Sequence, residues 1–375
     1  MTKRDVLNMG AGLLALLAPA HLCNGQVTEL RLAAPNATLP TEFTRVTAVR
    51  ALSDGRLLVA DAGETKLYVV DFAKQTATAV GRSGRGPNEY AALTALFPLS
   101  NDSTLLPDPR AGRWLLLHGA EVVAMVPPDS PPIRSGARTL FGASADGFVL
   151  ATASARNFEQ GGSFTTGAAD STWILRVSRS TGDVDSVAKA RSRAGRVNVT
   201  TSGGRPQRVE IVMNPISVGE QALLFQDGWL AIVRLEPYRV DWIAPGGRMI
   251  RGAELPDRKV RIDDRAKAWI LEELAERSGR ASRSAADVAD WPEVIPPFES
   301  SALLAAPDGT VWIRKAATEP NARVLYDVVD RQGRLVRRVS MAQNERLVGF
   351  GQGALFVVST DDDGIHRLQR HAMPR

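Results

Sequence analysis

The sequence predicts an all-β fold, a six-bladed β-propeller, from a recurring hairpin turn, the spacing of that turn, and an unpaired strand at each chain end. Six times along the chain, a short polar turn, usually Asp-Gly, precedes an apolar run of strand length. The turns are marked by Asp54, Asp102, Asp146, Asp227, Asp308 and Gln352. The intervals between these residues are 48, 44, 81, 81 and 44, and the short ones match the repeat of a four-stranded blade.

A second set of turns predicts the other hairpin of each blade. They occur at residues 72–76, His118-Gly119, Ser180-Thr181-Gly182, Pro245-Gly246-Gly247 and Arg331-Gln332-Gly333. Because six first hairpins meet only five second ones, the last blade lacks its outer strand. Residues 27–32 alternate apolar and polar side chains and are predicted to supply that strand, which closes the ring. The alternative is a frayed N-terminal tail.

The two intervals of 81 residues predict either a hidden blade or an insertion. Insertion fits better, because residues 190–207 are rich in Arg, Ser, Gly and Thr, and residues 256–297 have a helical, proline-punctuated pattern. Residues 263–278 predict an amphipathic helix inserted before blade five. This helix is interpreted either as a lid or partner-binding element over the channel mouth, or as a fixed helix that buries Trp269 against the blades.

The N-terminus predicts export. Lys3 and Arg4 precede an apolar run and the small-x-small sequence Ala18-Pro19-Ala20, so residues 1–20 are predicted to be a signal peptide. The beginning of this segment also resembles a twin-arginine signal with Lys in the first position. The bulky Leu22 disfavours lipid attachment at Cys23. The mature domain is expected to cover residues 26–375, to be periplasmic or secreted, and to contain no transmembrane segment.

The composition excludes several classes of protein. The chain has 46 basic and 41 acidic residues, for a net charge of +5, and the bases are scattered rather than interleaved with aromatic residues. Nucleic acid is therefore not an expected partner. The one cysteine excludes an internal disulfide and a cysteine-based zinc site, so stability has to come from packing.

Two segments resemble a group of bacterial exported six-bladed propellers with NHL-like and TolB-like architecture. The linker Gly81-Arg82-Ser83-Gly84-Arg85-Gly86-Pro87-Asn88-Glu89-Tyr90 is similar to the linker between the first two blades of that group, with Asn88 and Tyr90 as departures. The segment from Trp291-Pro292 through Val311-Trp312-Ile313-Arg314 to Tyr326-Asp327-Val328-Val329-Asp330 is similar to the fifth blade. The resemblance implies a fold, and the group has no single activity to carry over.

One end of the predicted propeller is the better candidate for a ligand site. In a four-stranded meander, the connections between strands two and three and between successive blades lie at the same end, called the loop face below. The candidate ligand-binding residues on the loop face are Asp61, Arg82, Arg85, Asn88, Glu89, Asp108, Arg110, Arg314 and Lys315.

Two parts of the loop face have competing interpretations. The backbone N–H groups of the linker at residues 81–90, with Arg82 and Arg85, are suited to an anion, but its glycines equally suit a tight crossing between blades. The linker lacks the Lys-Ser/Thr ending of a phosphate-binding loop, which favours the structural interpretation. Arg314 and Lys315 are expected to reach the channel rim, either to contact an acidic ligand or only to remain solvated.

The sequence predicts a non-catalytic binding or scaffolding propeller whose partner is an envelope protein or a small ligand. No nucleophile elbow or paired histidines stand out, so no catalytic residue, metal ligand or cofactor is assigned. The alternative is a metal-dependent hydrolase or lyase of the gluconolactonase kind, with calcium or another divalent ion at the channel mouth. A third class, carbohydrate binding, would use aromatic side chains such as Trp114, Trp229 and Trp312.

Overall fold

The computed structural model describes residues 28–374 except 138, 154–170, 194, 203–204, 215, 279–283 and 289–290. The predicted signal peptide at residues 1–20 and Cys23 lie outside the described residues. Most of the regular structure in the described part is β-strand, accompanied by two α-helices and a 3-10 turn at Ala285–Asp287. Within this part, no helix is long and apolar enough to span a bilayer.

Most of the described strands group into six successive antiparallel sheets, numbered here in chain order, and one parallel pairing, between Gly142 and Leu224, joins sheets 3 and 4. Two strands come first, β1 (Glu29–Arg31) and β2 (Ala37–Phe43). Sheet 1 contains β3 (Val46–Ala51), β4 (Leu57–Asp61), β5 (Lys66–Asp71) and β6 (Thr76–Val80). A short parallel pair follows, β7 (Arg82–Ser83) and β8 (Glu89–Tyr90). Sheet 2 contains β9 (Phe97–Pro98), β10 (Ser103–Asp108), β11 (Arg113–His118) and β12 (Glu121–Val126).

The remaining sheets are separated by a short helix and two insertions. After α1 (Pro131–Arg134), sheet 3 contains β13 (Leu140–Ala143), β14 (Phe148–Thr152), β15 (Ser171–Ser178) and β16 (Val184–Arg191). A separate hairpin, β17 (Gly195–Ser202) and β18 (Arg205–Met213), precedes sheet 4, which contains β19 (Gln221–Leu224), β20 (Leu230–Leu235), β21 (Tyr238–Ile243) and β22 (Met249–Ile250).

Beyond sheet 4 lies α2 (Asp264–Ser278), where residues 263–278 predicted a helix. Sheet 5 contains β23 (Phe298–Ala305), β24 (Val311–Lys315), β25 (Val324–Val329) and β26 (Leu335–Met341). Sheet 6 contains β27 (Glu345–Gly351), β28 (Ala354–Thr360) and β29 (His366–Ala372), with β2 as its fourth strand. The side chain of Asp263 accepts a hydrogen bond from the backbone N–H of Ala266 at 2.8 Å, which caps the start of α2.

The predicted first hairpins share one turn geometry. In sheet 1, the N–H of Gly55 donates to the carbonyl of Leu52 and the N–H of Leu52 donates to the carbonyl of Arg56. Gly55 has a φ of +86°, a conformation that glycine adopts without strain. Sheets 3, 4 and 5 repeat these bonds at Gly147, Gly228 and Gly309. The hairpins predicted at these positions are confirmed.

The outer strand of the last sheet comes from a different segment than predicted. Residues 37–43 form it as β2, which pairs antiparallel with β29 and places Phe43 opposite His366. β1 instead lies parallel to β26 on the outer edge of sheet 5, with Leu30 opposite Val339. The prediction for residues 27–32 is therefore wrong. β2 places Leu39 and Phe43 in the apolar core, whereas Leu30 is only half-buried, so β2 buries more apolar surface.

The core consists of apolar layers between neighbouring sheets. Among the described residues, six buried clusters each join two successive sheets, and one of them joins sheet 6 to sheet 1. Along β24, Val311 and Ile313 pack between sheets 4 and 5, whereas Trp312 packs between sheets 5 and 6. Because side chains alternate along a strand, a strand covered on both faces is apolar throughout. This explains the continuous apolar runs after the hairpin turns.

Candidate functional site

The linker at residues 81–90 is organised around the side chain of Glu89. Its carboxylate accepts hydrogen bonds from the backbone N–H of Gly86 at 2.7 Å and from Nε of Arg82 at 2.6 Å. These bonds, the one from Gly86 first, hold the pKa of Glu89 below its ordinary value. The linker's own carboxylate thus occupies the place that an anion would take at Gly86, and this favours the structural interpretation of the glycines.

Arg113 attaches this linker to sheet 2. Its guanidinium donates to the carbonyl oxygens of Arg85 at 3.0 Å and Glu89 at 2.8 Å, and its Nε lies 3.4 Å from the carboxylate of Asp108. Arg113 and Asp108 are both buried. The sequence analysis missed Arg113. The one feature of the sequence that could have indicated its role is its place directly before the apolar run Trp114-Leu115-Leu116-Leu117.

Asp61 and Asp108 end the second strands of sheets 1 and 2, and both are fully buried. The carboxylate of Asp61 accepts hydrogen bonds from the backbone N–H groups of Thr44 and Arg45 at 2.8 and 2.9 Å. The carboxylate of Asp108 accepts one from the N–H of Ala91 at 3.0 Å. The expected ligand contact does not fit this burial. Both residues instead anchor the chain that enters the sheet, because a buried carboxylate requires such partners.

Arg82, Arg85, Asn88 and Arg110 are exposed on the loop face. Of these side chains, that of Arg82 forms an ion pair with Glu89, although it remains 81% exposed. An exposed pair of this kind contributes little to stability. These four residues stay candidates for contact with a ligand, in contrast to the two buried aspartates.

Lys315 belongs to a buried ionic network. Its Nζ lies 2.6 Å from the carboxylate of Asp257 and 4.4 Å from the ring centroid of Tyr238. The hydroxyl of Tyr238 donates to the fully buried Asp327 at 3.0 Å, and Arg338 donates to the same carboxylate at 2.7 Å. Burial raises the pKa of Tyr238 well above its ordinary value, and the charge of Asp327 adds to this effect. The network attaches the beginning of the inserted segment to sheets 4 and 5.

Arg314 points to the other side of β24. Strand alternation places it on the same side as Trp312, between sheets 5 and 6, and its Nε lies 3.2 Å from the carboxylate of Glu299 on β23. Arg346, the second residue of β27, donates from Nη2 to the carbonyl oxygen of Val46 at 2.6 Å. The sequence analysis included Arg314 but missed Glu299 and Arg346, which become neighbours only through sheet packing.

A cleft of roughly 200 Å³ lies between α2 and the beginning of β23. Its walls are mainly apolar, formed by Trp269, Ile270 and Leu274 of α2 together with Ile216, Ile295 and Phe298. The rest of the lining is formed by Val218, Glu273, Pro296, Glu299, Ser300, Ala316 and Ala317. The cleft lies on the loop face, because β23 begins and β24 ends there.

The helix α2 packs mainly against other parts of its own inserted segment. Ala266 and Ile270 are buried in a small apolar cluster with Ile262 and Ile295, and Trp269 lies half-buried beside it. These contacts favour a fixed helix, although Trp269 is only half-buried, and the same helix forms one wall of the cleft.

The other proposed chemistries have less structural basis. Trp114 and Trp312 are buried between sheets, and Trp229 stacks under the guanidinium of Arg331 at 4.8 Å, so these side chains do not form an aromatic surface for a sugar. In the ranges that the structure describes, no group of three His, Cys, Asp or Glu side chains is close enough to hold a metal ion.

The sheets pack face to face in chain order, and the inner strands of neighbouring sheets lie side by side, as β3 and β27 or β19 and β23 do. This arrangement is that of a β-propeller. No protein-family model matches the chain, and no curated protein matches its sequence.

Several solved structures are similar to the chain. One is regucalcin, a calcium-binding protein from Agrobacterium tumefaciens, with 12% identity, coverage of 93% of this chain and 98% of that chain, and a TM-score of 0.40. Another is a Bacteroides fragilis protein described as exported, with 12% identity, coverage of 92% and 99%, and a TM-score of 0.49. A third is virginiamycin B lyase from Staphylococcus aureus, with 11% identity, coverage of 90% and 87%, and a TM-score of 0.35. At these values, no activity, ligand or location is transferred to this chain.

Proposed function

We propose that this protein is an exported six-bladed β-propeller, closed by a strand from its N-terminal region, that binds a small ligand in the cleft beneath α2 without transforming it. The proposal of six blades in a closed ring is supported by the six sheets and by the apolar cluster between sheets 6 and 1. The predicted signal peptide at residues 1–20 supports export to the periplasm or beyond.

The observation that carries the binding proposal is the apolar cleft itself. Ligand sites are typically concave, mostly apolar and provided with few polar groups, and this cleft combines apolar walls with the carboxylates of Glu273 and Glu299. Its volume of roughly 200 Å³ is below that of sites for drug-sized molecules, which suits a small molecule with an apolar body.

Titration with N-phenyl-1-naphthylamine, an uncharged probe that fluoresces in apolar surroundings, tests the proposal. Ala316 lines the cleft and is half-buried, so Ala316→Phe is expected to fill the space and weaken probe binding by at least about tenfold. Ala120, equally half-buried in a hairpin turn at the opposite end of sheet 2, provides the matched control Ala120→Phe. Equal probe affinity in the wild type and Ala316→Phe would overturn the proposed site.

The absence of catalysis is tested separately. The purified mature protein is expected to leave a panel of lactones and esters unchanged in the presence of calcium, magnesium or zinc. Turnover that a single substitution at Glu273 or Glu299 abolishes would replace the binding proposal with the metal-dependent hydrolase alternative.

A further inference from the structure

Two arginines from neighbouring sheets meet at the loop face with few partners. Arg314 comes from β24 of sheet 5 and Arg346 from β27 of sheet 6. The Nε of Arg314 is buried and has no hydrogen-bond partner among the described residues, although the carboxylate of Glu299 lies 3.2 Å away. An unmade hydrogen bond in the interior is unfavourable, and among the described residues the Nε atoms of five other arginines share this condition.

Arg346 has unused donors as well. A guanidinium carries five N–H groups in a planar fork. Within the described part of the chain, the guanidinium of Arg346 makes one hydrogen bond, to the carbonyl oxygen of Val46 at 2.6 Å. The remaining donors are therefore available to a group that approaches between the two sheets.

The electrostatics around Arg346 favour a negative ligand. Burial lowers the pKa of Arg346, Tyr326 raises it, the charge of Arg314 lowers it, and Glu299 opposes the effect of Arg314. The two positive side chains thus repel one another in a place where water screens them poorly. An anion between them would relieve this repulsion.

We propose that Arg314 and Arg346 form a binding site for a small oxyanion, either a carboxylate or a phosphate group, beside the apolar cleft beneath α2, with Glu299 at the boundary between the two. The planar guanidinium can donate two parallel hydrogen bonds to either oxyanion. Such charge-assisted hydrogen bonds are stronger than those between neutral groups. Glu299 holds Arg314 in position and limits the affinity, because its carboxylate competes with the ligand for the same guanidinium.

Calorimetric titration with inorganic phosphate and, separately, with acetate tests the proposal at constant ionic strength maintained with chloride. The wild type is expected to bind at least one of the two saturably at one site per chain, and the stronger of them identifies the preferred chemistry. Arg314→Gln and Arg346→Gln are each expected to weaken that binding by roughly tenfold or more.

Two further variants make the test specific. Arg31→Gln removes an exposed guanidinium on β1, at the outer edge of sheet 5, and is expected to leave the affinity unchanged. Glu299→Gln removes the competing carboxylate and is expected to tighten anion binding several-fold, a gain that a damaged fold would not produce. Circular dichroism and thermal unfolding confirm that each variant is folded before titration.

The proposal is overturned if neither anion binds saturably to the wild type, if Arg31→Gln weakens binding as much as Arg314→Gln, or if Glu299→Gln weakens it. Binding of N-phenyl-1-naphthylamine is expected to persist in Arg314→Gln and Arg346→Gln. The anion site and the apolar cleft can therefore fail independently.

Discussion

The Nδ1 atom of His366 accepts a hydrogen bond from the backbone N–H of Val46 at 3.1 Å, which joins the last strand of the chain to the first strand of sheet 1. This bond requires an unprotonated Nδ1. Burial lowers the pKa of His366 from its ordinary value of 6.5, and the nearby charge of Arg346 lowers it further. The contact between sheet 6 and sheet 1 is therefore sensitive to acid.

The first prediction concerns this pH dependence. Because the pKa is lower in the folded state than in the unfolded state, His366 contributes stability that is present above about pH 6.5 and is lost as the pH falls through the folded-state pKa. Urea unfolding on both sides of that pH is expected to show a smaller decrease for His366→Asn, whose amide oxygen can accept the bond at either pH. His118→Asn is the control and should retain the wild-type decrease. Identical pH dependence in His366→Asn and the wild type would contradict the prediction.

The second prediction distinguishes the two N-terminal strands. Phe43 is 2% exposed in the cluster between sheets 6 and 1, whereas Leu30 is half-buried at the edge of sheet 5. Phe43→Ala is expected to lower the free energy of unfolding by about 3–5 kcal/mol, and Leu30→Ala by about 1 kcal/mol. Urea unfolding measures both. A larger loss for Leu30→Ala would favour the original prediction that residues 27–32 close the last sheet.

The third prediction concerns the ion pair that holds the linker. Arg113→Met leaves the fully buried carboxylate of Asp108 without its cation, and the free energy of unfolding is expected to fall by about 3–5 kcal/mol. Arg110→Met, at an exposed neighbouring position, is expected to change it by less than about 0.5 kcal/mol. If denaturant unfolding gave similar values for the two variants, Arg113 would not be the anchor of the linker.

The fourth prediction concerns metal removal. The buried carboxylates of Asp61, Asp108 and Asp327 are bound by backbone N–H groups or by cationic side chains rather than arranged around an ion. EDTA is therefore expected to leave the melting temperature of the purified protein unchanged, and elemental analysis to give less than one equivalent of calcium or zinc per chain. Stoichiometric metal together with a lower melting temperature in EDTA would support the hydrolase alternative.

The hairpin turns and the inserted helix could be predicted because they are formed by interactions between residues close in sequence. The turns at Asp54-Gly55 and Asp227-Gly228 are local, because a glycine with positive φ and hydrogen bonds across a few residues suffice to form them. The helix that begins after Asp263 is equally local, since a capping carboxylate and an apolar stripe are visible in the sequence.

The candidate site was only partly predictable. Arg82 and Glu89 are seven residues apart and were both identified, although as ligand contacts rather than as partners of each other. Glu299, Arg314 and Arg346 belong to three different strands, and no local pattern relates them. The burial of Asp61 could not be predicted either, because its partners Thr44 and Arg45 lie in the connection between β2 and β3, one strand earlier in the chain.

The amino-acid sequence by itself determined where strands turn, how long they are and which side chains are apolar, because these depend on backbone preferences and hydrophobicity over a few residues. The tertiary structure alone decided that β2 rather than β1 completes sheet 6, and that two guanidinium groups meet at the loop face. The first outcome depends on which segment buries more apolar area against sheets 6 and 1, and the second on how sheets 5 and 6 pack. Neither can be read from short segments with similar patterns, because both depend on contacts between residues far apart in the chain.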